Sequence, residues 1–369
     1  MADNEAIRIR AGALEEFCRQ VLERAGYREE DARIAAEVLV AADLRGVESH
    51  GVARLRRFYV DWMREGMINP RPEIKLVAER PAIAVIDADA GLGHPTAYRA
   101  MTMAINKALD VGAGFVAVRN SNHFGIAGYY AMMALEYDCI GLCMTNTHTL
   151  MVPTHGRDPI LGTNPIAVAV PAGAEPAFVL DMATTVAPLG KLEVYSRQDR
   201  PIPLGWATDD QGIPTNEPGD VLRNFASLSG GGLLPLGGAG EELGGHKGYG
   251  LALWVEIFSA LLSSAFYADQ VYPTTEEGNK LPSQLGHFFG AWHVDAFRPM
   301  ESFGPAMDDL QMRLKGSRKA AGQARIYVAG EKEYEESKRR QREGIPLSEA
   351  VVADLSALAD EMHLSLDVE

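Results

Sequence analysis

Residues 83–96 read Ile83-Ala84-Val85-Ile86-Asp87-Ala88-Asp89-Ala90-Gly91-Leu92-Gly93-His94-Pro95-Thr96. An apolar strand runs into a glycine-bearing turn and then into helical periodicity from Pro95 to Leu109. That is the layout of a dinucleotide-binding loop. Thr96 stands where the third glycine of the fingerprint belongs, and no acidic partner follows at the usual distance. The stretch predicts a strand–turn–helix unit without a Rossmann phosphate loop. A dinucleotide bound by this chain is held by other segments.

The alternation continues downstream. Phe115 to Val118 reads as a strand, Gly125 to Tyr137 as a helix and Ile140 to Thr145 as a buried strand. Ile166–Val170 and Phe178–Leu180 are strands separated by Pro171-Ala172-Gly173. Thr185 to Arg197 reads as a helix. A Pro/Gly-rich loop and the glycine-rich Ser229–Gly245 stretch follow, then an apolar helix from Lys247 to Ser264.

Both chain ends are helical in pattern. Leu14, Phe17, Cys18, Val21 and Leu22 recur at helical spacing before Gly26. Further helices are expected at Glu30–Asp43 and His50–Arg64, the latter followed by the break at Asn69-Pro70-Arg71-Pro72. The C-terminal set is Pro305–Lys315, Glu331–Arg342 and Ser348–His363, with Ser348 as N-cap. The fold class is α/β, a sheet layer between two mostly helical ends.

Composition narrows the function. A chain of 369 residues exceeds one typical core, so two compact units are expected. The net charge of −15 disfavours nucleic acid and anionic membranes as partners, and any anion site must be locally cationic. Three cysteines, Cys18, Cys139 and Cys143, form no disulfide framework and suit a cytoplasmic setting. The first six residues are acidic and lack an apolar secretory core. Leu251–Leu262 is interrupted by Glu256 and is too short to span a bilayer.

Five polar clusters carry candidate chemistry. In Asp43-Leu44-Arg45-Gly46-Val47-Glu48-Ser49-His50-Gly51-Val52-Ala53-Arg54, a helix would place His50 and Arg54 on one face. That pairs a titratable imidazole with a carboxylate-gripping cation. Arg119 to Gly125 holds Asn122 and His123 between a strand and a helix. A helix N-terminus there would keep the imidazole neutral, as a general base requires; capping of an ordinary turn is the even alternative. Thr147, His148, Thr163 and Asn164 sit in turns at strand edges. Asp181-Met182-Ala183-Thr184-Thr185 leaves a strand ahead of a helix whose free amides would suit a phosphate. His246-Lys247-Gly248-Tyr249-Gly250 opens the apolar helix; each glycine there forgoes roughly 1 kcal/mol relative to Ala, which fits close approach by a backbone or ligand. No tight metal-ligand spacing is found among the nine histidines.

Together these segments resemble the malate/L-lactate dehydrogenase-type family of NAD(P)-dependent oxidoreductases, which is unrelated to the Rossmann-fold lactate and malate dehydrogenases. The match spans about Ile34 to Glu331. It rests on Asp-Leu-Arg-Gly-Val-Glu-Ser-His-Gly, Ser-Asn-His-Phe-Gly, Gly-Thr-Asn-Pro, Leu-Asp-Met-Ala-Thr-Thr and His-Lys-Gly-Tyr-Gly in that order.

The resemblance implies a homodimer, with a helical domain from 1–72 and about 305–369 and a non-Rossmann NAD(P)-binding α/β domain from 73–304. It implies hydride transfer between NAD or NADP and C2 of a 2-oxo/2-hydroxy acid, a small anionic substrate. Ser49, His50 and His123 would serve as catalytic residues, with the acid left open between the two histidines. Arg54, His148, Thr163 and Asn164 would bind substrate. Asn122, Thr147, Asp181, Met182, Ala183, Thr184, His246, Lys247, Gly248, Gly330 and Glu331 would bind cofactor, the last two in an Ala329-Gly330-Glu331 turn. Arg197 and Arg200 are candidates for a 2′-phosphate. The alternatives are a cyclic or N-methyl imino-acid reductase of the same family and, from another class, a metal-dependent hydrolase.

Overall fold

The structure, a computed structural model, describes residues 7–366, so the acidic first six residues lie outside the description. The strands are β1 (Ile7–Ile9), β2 (Lys75–Arg80), β3 (Ile83–Asp87), β4 (Ala113–Ser121), β5 (Cys139–Thr145), β6 (Ile166–Val170), β7 (Phe178–Met182), β8 (Ala207–Thr208), β9 (Pro214–Thr215), β10 (Leu285–His293) and β11 (Ile345–Leu347). The helices are α1 (Ala11–Ala25), α2 (Glu29–Leu44), α3 (Trp62–Arg64), α4 (Gly93–Val111), α5 (Ala127–Met133), α6 (Leu189–Arg197), α7 (Pro218–Ser227), α8 (Gly245–Glu256), α9 (Met300–Gly316), α10 (Glu331–Glu343) and α11 (Glu349–Met362).

Seven strands form the central sheet in the order β2-β3-β4-β10-β5-β6-β7. The only parallel pair is β3 with β4, and α4 is its crossover. All other neighbours are antiparallel. Ala97, Ala100, Met101, Ala104 and Ala108 form the buried stripe of α4, at helical spacing, against Ala84, Ile86, Val116 and Val118. Small side chains let the helix lie close to the sheet. The opposite face packs Leu142, Met144 and Phe288 against Val255 and Trp254 of α8.

Strand β10 was not read from the sequence, yet it lies between β4 and β5 and pairs with both. It is buried on both faces, so it shows no alternation of apolar and polar residues, and its two glycines mask its strand character. The antiparallel edge strand β2 was also missed; all six of its residues are exposed.

A second core gathers both chain ends. Leu14, Phe17, Val21 and Leu22 of α1 pack with Leu39 of α2, Leu55 and Tyr59, and with Leu355, Leu358 and Met362 of α11. Backbone pairing of β1 with β11 ties these ends together. Helix α9 instead lies against the β6–β7 hairpin, where Asp308 accepts the N–H groups of Gly173, Ala174 and Glu175.

Several expected elements differ in form. The His50–Arg64 helix is a 3-10 turn at 48–50, another at 52–54, a π-helical stretch at 55–61 and then α3. Gly51 interrupts it with extended backbone, so His50 and Arg54 do not share a continuous helix face. Helix α6 begins at Leu189 behind Pro188, not at Thr185, so its N-terminal amides are not next to Thr184. Ser348 occupies the N-cap of α11 but its hydroxyl makes no capping bond.

The glycines of the opening stretch serve packing. A Cβ on Gly93 would lie 2.2 Å from the Asn122 carbonyl oxygen and 2.4 Å from that of His123. The Asn122 amide donates to the carbonyls of Ala90 (2.8 Å) and Gly91 (3.0 Å), locking the turn to the His123 segment. Gly93→Ala should destabilise by about 1–3 kcal/mol through overpacking. Gly250→Ala, where a Cβ meets nothing within 4 Å, should be neutral or stabilising. Urea midpoints at constant slope check both.

Candidate active site

A cavity of about 670 Å³, the size of a cofactor site, opens between the sheet and the helical core. One end is lined by Ser49, His50, His123 and Tyr272. The other is lined by Asp181 and Met182 at the end of β7, by Ala183 and Thr185 just after it, and by Gly330, Lys332 and Glu333 at the start of α10. Thr147, Thr163, Arg45 and Leu236 complete the walls used below.

The two histidines come together although 73 positions separate them in sequence: their rings stack at 5.5 Å with an interplanar angle of 21°. His123 does not project from a helix N-terminus, because α5 starts only at Ala127. It packs instead on Phe58 and Tyr59. The Tyr59 hydroxyl is 2.7 Å from His123 Nδ1, and the Gly125 N–H donates to the same nitrogen at 3.4 Å. A backbone N–H can only donate, so Nδ1 is the bare nitrogen of the neutral ring. Tyr59 therefore donates as well, and Nε2 carries the ring hydrogen.

Both imidazoles are held in the neutral form. Burial, and then the Arg54 charge, lowers His50 to about 4. Burial pushes His123 well below its usual range, with His50, His94, Arg54 and His287 adding to the effect. The predicted neutral imidazole is present, but desolvation is the leading cause and not a helix dipole. Ser49 Oγ lies 2.9 Å from His50 Nδ1. Arg54 stands beside the cavity, its Nε donating to the Ser49 carbonyl at 2.7 Å and its guanidinium 4.8 Å from the Phe58 ring centre. Its two terminal nitrogens remain for a carboxylate.

At the other end, one Asp181 oxygen accepts the Gly128 N–H at 2.8 Å. Although Asp181 is exposed to the cavity, desolvation by the surrounding protein raises its carboxyl to about 6, opposed by the Gly128 bond and by Arg45. The other oxygen is free to accept a ribose hydroxyl. Gly330 sits so tightly on Val179 that a Cβ would lie 2.7 Å from that residue's Cβ. The carboxylate, the flat glycine wall and the cavity's size fit a nicotinamide nucleotide.

Other named residues build the walls from behind. Asn164 is fully buried; its amide donates to Glu256 (2.6 Å) and to the Ala252 carbonyl (3.1 Å), and its oxygen accepts the Thr147 N–H at 3.2 Å. The buried Thr184 hydroxyl donates to the Thr163 and Asn164 carbonyls. The Asn122 oxygen accepts from Ser283 at 2.6 Å. Glu331 pairs with Arg325 and Lys315 and accepts the Val328 N–H, which shapes the turn that presents Gly330. Exposed His148 lies tilted against Tyr272, with ring centres 5.2 Å apart, outside the lining.

His246 and Lys247 are exposed on the first turn of α8, also outside the lining. A Cβ on Gly248 would lie 2.2 Å from the Leu236 carbonyl oxygen, so this glycine seats the helix start against a lining segment. The close approach expected there is by backbone. Arg200 stacks on Tyr195, away from the cavity.

Sequence reasoning missed Tyr59, Arg45, Lys332, Glu333 and Tyr272. Arg45 left a signal, since it lies inside the quoted segment that carries Ser49 and His50.

A cavity with paired imidazoles at one end and a carboxylate at the other has the groups that an oxidoreductase site would use. Comparison with known proteins agrees. Residues 9–356 match the malate/L-lactate dehydrogenase family. The chain is 47% identical to a malate dehydrogenase of Pyrococcus abyssi, over 97% of this chain and 95% of that protein. It is 40% identical to an L-sulfolactate dehydrogenase of Methanocaldococcus jannaschii, over 94% and 95% respectively. The crystal structure of malate dehydrogenase from Entamoeba histolytica superposes with a TM-score of 0.93 at 37% identity, covering 98% of this chain and 99% of that one.

The chain belongs to the malate/L-lactate dehydrogenase family. It is a dehydrogenase that uses a nicotinamide cofactor and a small-molecule substrate. The metal-dependent hydrolase alternative is set aside by that membership. Among the described residues, no helix is long and apolar enough to cross a membrane.

The tautomer assignment is testable without substrate. In ¹⁵N NMR spectra of labelled protein near neutral pH, His123 should show a bare Nδ1 and a protonated Nε2. Tyr59→Phe should shift the Nδ1 resonance toward that of an unbonded nitrogen. A protonated Nδ1 in the wild type would contradict the assignment.

Proposed function

We propose that the chain catalyses reversible hydride transfer between NAD(P)H and C2 of a 2-oxo/2-hydroxy acid, with oxaloacetate/malate as the first pair to assay. The observation that carries this reading is the convergence of Ser49, His50 and His123 at one end of the cavity that Asp181 and Gly330 line at the other. The relatives named malate and sulfolactate dehydrogenases support an acid substrate.

When bound, the nicotinamide supplies the hydride. The chain's own residues bind, orient and move the proton. Arg54 grips the substrate carboxylate through its two terminal nitrogens, while Thr163 and His148 flank that end. Asp181 holds a ribose hydroxyl, Met182, Ala183, Thr147 and Gly330 enclose the ring, and Lys247 with His246 steadies the phosphates at the α8 start. Asn122, Asn164, Thr184 and Glu331 act by fixing these walls.

His123 Nε2–H faces the reacting oxygen, and Ser49 and His50 complete its donors. Arg54 is one cause of the histidines' neutrality. An anionic substrate on Arg54 offsets that lesser, coulombic cause, while burial, the leading one, remains. The family resemblance supports a homodimer divided into a helical body from 1–72 with about 305–369 and a sheet body from 73–304. Three buried free thiols suit a reducing, cytoplasmic setting.

The decisive assay follows the NADH absorbance band with oxaloacetate, pyruvate and sulfopyruvate, each with NADH and NADPH. Oxidation with none of them sinks the reading, and oxidation only with pyruvate plus methylamine turns it to imine reduction. His123→Gln should lower kcat roughly 10²-fold; a near-wild-type kcat moves the proton to His50. Asp181 is ionised above about pH 6 and protonated below it. The KM for the nucleotide should therefore rise as pH falls through 6, and Asp181→Asn should flatten that dependence.

A further inference from the structure

We propose that Arg340 is a positioning residue that holds the Ser49–His50 turn in register with the cofactor wall. The proposal rests on the reading of that turn given above.

Arg340 lies in α10 and is 6% exposed. Its guanidinium is fully engaged. Nη1 donates to the Asp43 carbonyl at 2.8 Å, Nη2 to Glu48 at 2.7 Å, and Nε to Glu336 on its own helix. Two of the three bonds are thus spent on the segment leading into the turn. The Glu48 side chain is 58% exposed, yet the buried cation pins it.

The far side of the turn is fixed by Asp43, whose buried carboxylate accepts the Val52 N–H at 2.8 Å. The same carboxylate presses on Gly51, where a Cβ would lie 2.1 Å from its oxygen. Ser49, His50 and Gly51 are therefore strung between two anchored residues, Glu48 and Val52, and both anchors refer back to Asp43.

Arg340 connects this turn to the other end of the cavity. Gly330, Lys332 and Glu333, at the start of its helix, line the cofactor wall. Nine residues of α-helix, about 13 Å, separate Glu331 from Arg340. One rigid helix thus touches the cofactor wall at its beginning and the candidate catalytic turn near its end. A surface ion pair would hold only itself; this buried fork holds a backbone carbonyl and the residue before Ser49. The expected effect of losing it is a misplaced imidazole, not a lost cofactor.

The test compares Arg340→Ala, Glu48→Ala and His50→Ala in the full chain. It measures kcat, the KM values, NADH binding by fluorescence, and thermal unfolding. Arg340→Ala should lower kcat about 10- to 100-fold, the scale of a small misplacement of reacting groups. NADH binding should stay within about twofold. Millimolar guanidinium should restore part of the kcat of Arg340→Ala and leave the wild type unchanged. Glu48→Ala, which removes a largely exposed partner of Arg340, should lower kcat by a smaller factor with Tm nearly unchanged.

Wild-type kcat in Glu48→Ala overturns the proposal, including where Arg340→Ala fails to fold. Loss of kcat in Arg340→Ala that matches its loss of NADH binding, with no guanidinium recovery, also overturns it. Wild-type kcat in His50→Ala overturns instead the reading of the site on which the proposal rests.

Discussion

The contact on which the site depends is the backbone approach of Gly93 to the Asn122–His123 segment. It brings the first turn of α4 against the loop after β4 with no side chain between them. Asn122 then spans the gap with both amide hydrogens. From this seat His123 faces Tyr59 and His50, which belong to the helical core, while its loop belongs to the sheet. The join between the two cores is therefore also where the two imidazoles meet. A glycine that in a Rossmann protein would admit a pyrophosphate here admits another stretch of the same chain.

Neutral imidazoles side by side are a consequence of burial in an acidic protein. Two imidazolium rings stacked at 5.5 Å beside Arg54 would repel one another in a poorly solvated pocket. No carboxylate is among the causes of the two rings' lowered pKa values, and several of the chain's acids pair at the surface with arginines such as Arg19, Arg56 and Arg313. Local composition governs the site: Arg54 beside the two imidazoles, and Asp181 with Arg45, Lys332 and Glu333 at the far end.

Much of the fold was legible because periodicity survives wherever an element has one wet face. Helices α1, α2, α4 and α11 show it, as do the strands that alternate, such as β3. Strand β10 was invisible because both its faces are covered. The failed fingerprint at Gly91–Thr96 correctly excluded a Rossmann loop, although nothing in it announced that Gly93 packs on Asn122. In the site, the segments carrying His50, His123 and Asp181 were found from motif order. Their partners were not: Tyr59 and Arg340 act across long sequence separations that no local spacing encodes. Residues such as Asn164 and Thr184 matched motifs yet are buried scaffolding. A motif marks what a site requires, not which atoms touch the ligand.

The position of β10 bears on how the chain is made. Its neighbours β4 and β5 end by residue 145, about 140 residues before β10 begins. During synthesis both strands leave the ribosome long before the strand that will lie between them. Each then presents an unpaired inner edge, and those edges cannot pair with one another without excluding the true central strand. The sheet thus closes late, through contacts of high sequence separation, which are slow to form and open to intermolecular pairing meanwhile. The inner edges of β4 and β5 therefore stay open until residue 293, the end of β10, has emerged.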